Sequence, residues 1–133
     1  METGTKKFDG KAAVYQKYRP GYPATCLDYL REVCGWKYGE RLADIGAGTG
    51  IFTRQLLERG YAVEAVEPCA DMRGALAEAL QNFPALTVRE GSASATGIAG
   101  GAAAGVTAAQ AFHWFDVPAF KAECRRILRP GGF

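Results

Sequence analysis

The sequence predicts an α/β fold, doubly wound around a mostly parallel sheet with helices on both faces. Three observations carry that prediction. Short strand-like runs alternate with amphipathic runs from residue 41 onward, and such alternation with short connections implies right-handed crossovers between parallel strands. A glycine-spaced turn, GAGTG, stands where the first strand gives way to a helix. The chain also has the size and balance of one soluble domain, with 133 residues, 48% of them hydrophobic and 23% charged.

The elements follow in order. Residues 1–36 read as a helical lid or cap segment within a single domain spanning 1–133. A helix is expected over 8–19 and is stopped by RPGYP, since each proline removes a donor and turns the preceding residue away from helical angles. A second helix is expected from Ala24 to Trp36, with Leu27, Leu30, Val33 and Cys34 on one face and Gly35 as its breaker. RLADI then forms the first strand, IFTRQLLERG a helix ending at Gly60, and YAVEAVE the second strand. A helix through MRGALAEALQNF is broken by Pro84, and LTVRE makes the third strand. The Gly/Ala-rich segment 97–105 predicts poorly, and no charged residue occurs between Glu90 and Asp116. VTAAQAF is expected as the fourth strand, although alanine is a weak strand former. FDVPAFKAECRRILRPGG reads as a helix with Phe120, Cys124, Ile127 and Leu128 inward. Because the sequence ends at Phe133, where another strand would begin, the C-terminal strands are expected to be missing.

Composition excludes several function classes. No stretch approaches the roughly 18 apolar residues of a membrane span, and METGTKKFDG has no apolar run behind its lysines, so the cytoplasm is the expected location. Four cysteines without CxxC spacing and a single histidine, His113, argue against a disulfide framework or a metal site. A net charge of +2 gives no strong field for nucleic acid or anionic membrane, which leaves a small molecule as the expected partner. Lys121, Arg125 and Arg129 share a helical stripe and read as a solvated face.

The chemistry centres on LADIGAGTG. Asp44 ends the strand, and Gly46, Ala47, Gly48 and Gly50 form the turn before the helix. Glycines permit the tight turn and close approach of a ligand, and the helix start behind them presents unpaired N–H groups. Glu67, at the end of the second strand, can accept hydrogen bonds from both hydroxyls of a ribose. A dinucleotide fingerprint, GxGxxG, would need glycine at position 51, which is Ile51. Asp44 would repel a pyrophosphate but attract the ammonium of a methionine moiety, so S-adenosylmethionine is the favoured cofactor. An aromatic group with Tyr15, Tyr18, Arg19 and Tyr22 either packs as a helix end or forms a lid, with a tyrosine over the cofactor and Arg19 on its carboxylate. His113, between Phe112 and Trp114, either packs or serves as a general base.

Four stretches, YQKYRPGYP, LADIGAGTGIFTRQLLERG, VEAVEPCADMRGAL and AAQAFHWFD with RILRPGGF, resemble the class I S-adenosylmethionine-dependent methyltransferases, and within them the methyltransferase domain type 11 group. The resemblance implies a Rossmann-like fold and direct methyl displacement onto a small molecule. It implies that Asp44, Gly46, Gly48 and Gly50 line the methionine and ribose region, that Glu67 binds the ribose, and that Ser92 and Ala93 border the adenine. It also places Gln110 to Trp114 toward the methyl group and the substrate. Two departures stand out: GIAGGAAAG replaces a stretch that in the family commonly carries an acidic residue or two, and the family domain continues through a fifth strand, another helix and a two-strand hairpin, whereas this sequence ends at the threshold of the fifth strand. The competing expectation is therefore a truncated cofactor-binding domain without turnover, whose exposed sheet edge would pair with a second copy. A nicotinamide-dependent oxidoreductase is a weaker alternative.

Overall fold

A computed structural model describes residues 22–108 and 116–132. The expected helix over 8–19 lies outside them. Four parallel strands, β1 (Arg41–Ile45), β2 (Ala62–Val66), β3 (Leu86–Arg89) and β4 (Gly105–Thr107), form one sheet in the order β3-β2-β1-β4. Strand order reverses at β1, and in open sheets of this kind the crevice at the carboxyl ends beside such a reversal is where ligands bind. Four helices accompany the sheet: α1 (Ala24–Cys34), α2 (Ile51–Glu58), α3 (Ala70–Ala79) and α4 (Val117–Ile127). The doubly wound α/β architecture expected from the sequence is the one observed.

Strand alternation divides the core in two. Leu42, Val63 and Ala65 point to one face, where they meet Phe52 and Leu56 of α2, Leu76 of α3, Leu80 and Leu27 of α1. Ala43, Ile45 and Val66 point to the other and meet Ile98, Ala103 and Ile127 of α4.

Element boundaries shift by a residue or two from expectation, for local reasons. α1 stops at Cys34 because Gly35 adopts φ 69° and turns its N–H back to the Arg31 carbonyl. Its inward stripe runs through Leu27, Leu30 and Cys34, leaving Val33, expected on that face, one position off it and 52% exposed. α3 starts at Ala70, two residues before the expected run, with Asp71 in its first turn where a negative charge suits the helix dipole. β4 covers only the beginning of the expected VTAAQAF strand, and residues 109–112 lie outside the described part.

Gly105, in β4, has a steric reason to be glycine. A Cβ there would stand 2.4 Å from the Trp36 ring. Trp36 is buried against that bare backbone, edge-on to Tyr61 with ring centroids 6.0 Å apart, and its ring N–H has no hydrogen-bond partner.

The crossover from β3 to β4 contains no helix among the described residues. α4 covers it with a face that differs from the expected one: Ile127 is buried as expected and Phe120 packs at the core's edge, but the residue buried beside them is Glu123. No described helix is long and apolar enough to cross a membrane, and no described His, Cys, Asp and Glu residues cluster as a metal site. All four cysteines are free thiols.

Candidate cofactor cleft

Asp44 and Glu67 end neighbouring strands, and the glycine turn lies between them. Gly46, Gly48 and Gly50 adopt φ of 66°, 62° and 91°, the left-handed region that side chains avoid. The N–H groups of Gly46 and Ala47 both donate to the Val66 carbonyl, at 2.8 and 3.1 Å, which ties the turn to the end of β2. Gly50 then starts α2, and a Cβ there would stand 2.9 Å from Leu76 and 3.0 Å from Leu80. This glycine therefore lets α2 and α3 close on each other. No side chain caps the start of α2.

Glu67 is buried, 6% exposed. Its Oε1 accepts from the Gly48 N–H and its Oε2 from the Cys69 N–H, each at 2.8 Å. Arg73 of α3 donates to the Glu67 carbonyl at 2.9 Å and to that of Pro68 at 3.3 Å, bracing the turn. Burial raises the Glu67 pKa above the usual carboxylate value, against the lowering effect of the two N–H groups and Arg73. Each carboxylate oxygen keeps a second acceptor position, so a pair of vicinal hydroxyls can be held without breaking the bonds to Gly48 and Cys69.

Asp44 is more deeply enclosed, 2% exposed. Thr53 of α2 donates to its Oδ2 at 2.6 Å, and Thr107 of β4 to its Oδ1 at 2.9 Å. Burial raises its pKa to about 6; the two hydroxyls pull it down and the nearby Glu67 pushes it up. Near neutral pH Asp44 is a buried anion, suited to a positively charged group.

The structure thus brings together Asp44, Gly46, Ala47, Gly48, Gly50 and Glu67 as the sequence suggested. It adds Thr53, Thr107 and Arg73, which sequence reasoning missed. Thr53, in the first turn of the helix behind the glycines, was the one of the three with a local signal. Ser92 and Ala93 follow β3 in a tight turn next to this group, where Glu67 N–H donates to the Arg89 carbonyl at 3.1 Å. Tyr22 of the aromatic segment docks at the start of α2: its ring meets Phe52 edge-on at 5.2 Å, and its backbone exchanges two hydrogen bonds with the Gln55 amide, at 3.0 and 2.5 Å. Tyr15, Arg19, Gln110 and His113 lie outside the described residues.

Comparison with known proteins agrees with this geometry. The methyltransferase domain family matches residues 43–133. An uncharacterized methyltransferase of Mycobacterium tuberculosis is 37% identical over 125 residues, covering 94% of this chain and 49% of that protein. Among solved structures, a candidate type II methyltransferase from Anaeromyxobacter dehalogenans is 36% identical, with a TM-score of 0.71 over 86% of this chain and 46% of that one. The fold also matches geranyl diphosphate C-methyltransferase from Streptomyces coelicolor, solved with magnesium, geranyl diphosphate and S-adenosylhomocysteine, at 23% identity and a TM-score of 0.71 over 82% of this chain and 43% of that one. The chain spans about half the length of the curated relatives it matches over most of its own length. With a cleft of this construction, and with the family matched across most of its length, the chain belongs to the methyltransferase domain family of type 11.

Proposed function

We propose that this chain binds S-adenosylmethionine across the carboxyl ends of β1, β2 and β3 and transfers its methyl group to a small-molecule nucleophile. One observation carries the reading. Glu67 accepts from the Gly48 N–H at 2.8 Å, so the acid that suits a ribose and the loop that suits a close-lying chain form one unit.

The residues fit the group. Glu67 offers acceptors for a vicinal diol, Asp44 a buried negative charge for an ammonium, and the glycine turn a bare backbone over which a ligand can pass. They fit a pyrophosphate poorly, since the Gly48 N–H is already engaged and both nearby side chains are acidic. In this reading Ser92 and Ala93 border the adenine, while Tyr15, Arg19 and Gln110 attend the methionine end. When bound, S-adenosylmethionine supplies an electrophilic methyl group on a positively charged sulfur. The chain's part is to align that methyl with the acceptor, to exclude water and, through His113, to take up the proton the nucleophile loses. A small-molecule acceptor is favoured by the near-neutral charge balance of the chain and by its likeness in fold to a methyltransferase solved with geranyl diphosphate.

Calorimetric titration with S-adenosylmethionine, S-adenosylhomocysteine and NAD tests the reading. Saturable binding of the first two, lost in Glu67→Ala and absent for NAD, is the expected result. Binding of NAD, or of no ligand, would overturn it. Turnover is checked separately by S-adenosylhomocysteine release on a panel of acceptors, with His113→Ala expected to slow it about a hundredfold, as loss of a general base does.

A further inference from the structure

The turn after β3 is anchored from outside itself. Ser92 N–H donates to the Ala95 carbonyl at 3.1 Å and Ala95 N–H to the Ser92 carbonyl at 3.2 Å, closing a pinched loop. Gly91 enters so close that a Cβ would stand 2.9 Å from the carbonyl oxygens of both Ala95 and Thr96. Entry, turn and exit are therefore packed directly on one another. The turn has only serines and alanines to hold it, and its two serine hydroxyls lie 3.3 Å apart, on each other.

The exit is fixed by α4. Glu123 Oε2 accepts from the Thr96 N–H at 3.0 Å and from the Thr96 hydroxyl at 2.6 Å, and that hydroxyl in turn accepts from the Ile98 N–H at 3.1 Å. Arg126 holds Glu123 in a two-point grip, Nε to Oε1 at 2.8 Å and Nη2 to Oε2 at 2.7 Å, and also donates to the Ile98 carbonyl at 2.7 Å. Thr96 and Ile98 are each 1% exposed and Glu123 8%. The other end of the turn is held near the ribose acid, through the Glu67 N–H to Arg89 bond. An adenosine whose ribose sits on Glu67 reaches the end of the next strand with its base, which is where this turn lies.

We infer that Glu123 is a positioning residue for the adenine: by fixing Thr96 it fixes the Ser92–Ala95 turn, so that α4 sets how sharply the cleft tells one base from another. The inference rests on the cofactor reading above. Discrimination of this kind needs polar groups in fixed positions, because a mobile turn re-forms its hydrogen bonds around the wrong base.

The test is calorimetry with S-adenosylhomocysteine and S-inosylhomocysteine, in which a carbonyl replaces the exocyclic amine, on the wild type, Glu123→Ala and Glu123→Gln. The wild type is expected to prefer the adenosyl ligand by roughly tenfold or more, a modest ratio for a polar contact. Glu123→Ala should bring that ratio close to one, and Glu123→Gln, whose amide oxygen still accepts from Thr96, should restore part of it. A role confined to stability would weaken both ligands equally, and an unchanged ratio would overturn the inference, as would a wild type indifferent to the base. Should Glu123→Ala fail to fold, Thr96→Val removes one of the two anchoring bonds and carries the same expectation and the same refutation. A wild type that binds neither ligand would instead bring down the cofactor reading, and this inference with it.

Discussion

On one face of the sheet, Leu42, Val63 and Ala65 meet the leucines of α2 and α3. On the other, acids occupy places where leucines would serve. Glu64 of β2, 3% exposed, lies between Arg41 at 3.3 Å and the closely paired Arg89, and Glu123 of α4 is held by Arg126. The difference follows from side-chain supply. The crossover on the second face is built largely of glycine and alanine, which bury little area, so polar bonds hold what dispersion cannot. The first face tolerates changes of shape within limits set by volume. The second depends on partners, because a buried carboxylate left alone is costly.

The comparison can be broken most severely on the apolar face. Leu76→Ala is expected to cost about 3 kcal/mol, since the site at the joint of α2 and α3 cannot collapse freely, and the loss in urea denaturation should be insensitive to salt. Glu123→Ala should cost about 2 kcal/mol by leaving Thr96 unpaired in the interior. That cost carries a pH signature. Arg126 first, with Thr96, holds the Glu123 carboxyl at about 2, below its ordinary 4.5, so its contribution is present above pH 4.5 and lost as pH falls toward 2. Stability curves of wild type and variant should converge across that window.

Asp44 runs the other way. Its pKa is raised, chiefly by burial, from 3.8 to about 6, so its favourable contribution is present below pH 3.8 and is lost as pH rises through about 6. Asp44→Asn should therefore raise the ligand-free stability at pH 7 by about 1 kcal/mol, read as a higher Tm, while weakening binding of an ammonium-bearing cofactor. The smallest effect belongs to the outer surface. Arg54→Ala, which removes the exposed pair with Glu58 at 3.6 Å, should change stability by less than about 0.5 kcal/mol and serves as the control for salt.

The same contrast explains what could be read in advance. Asp44, the glycines and Glu67 were legible because their chemistry is written into one strand, turn, helix and strand. Thr107 was not, since it meets Asp44 from 63 residues away, and neither was Glu123, whose partner Thr96 is 27 residues distant. Periodicity read α4 incompletely. It marked Cys124 as inward, and that side chain is half-buried, but it passed over Glu123, which the helix turns fully to the interior; Arg129, read as solvated, is exposed and also reaches Glu40 at 2.8 Å. Periodicity weighs apolar residues, and here an acid with the right partners takes an apolar position.

Trp36, pressed on Gly105 with its ring nitrogen unpartnered, has an optical consequence. An indole excited in surroundings with few mobile dipoles relaxes little before it emits, so its fluorescence stays toward the blue. Water admitted between Trp36 and β4 would shift that light to the red even while the rest of the sheet stayed paired. With Trp114 replaced by phenylalanine, Trp36 is the sole lamp, set at the border of β4, and its colour reports whether the strand bearing Thr107 is seated.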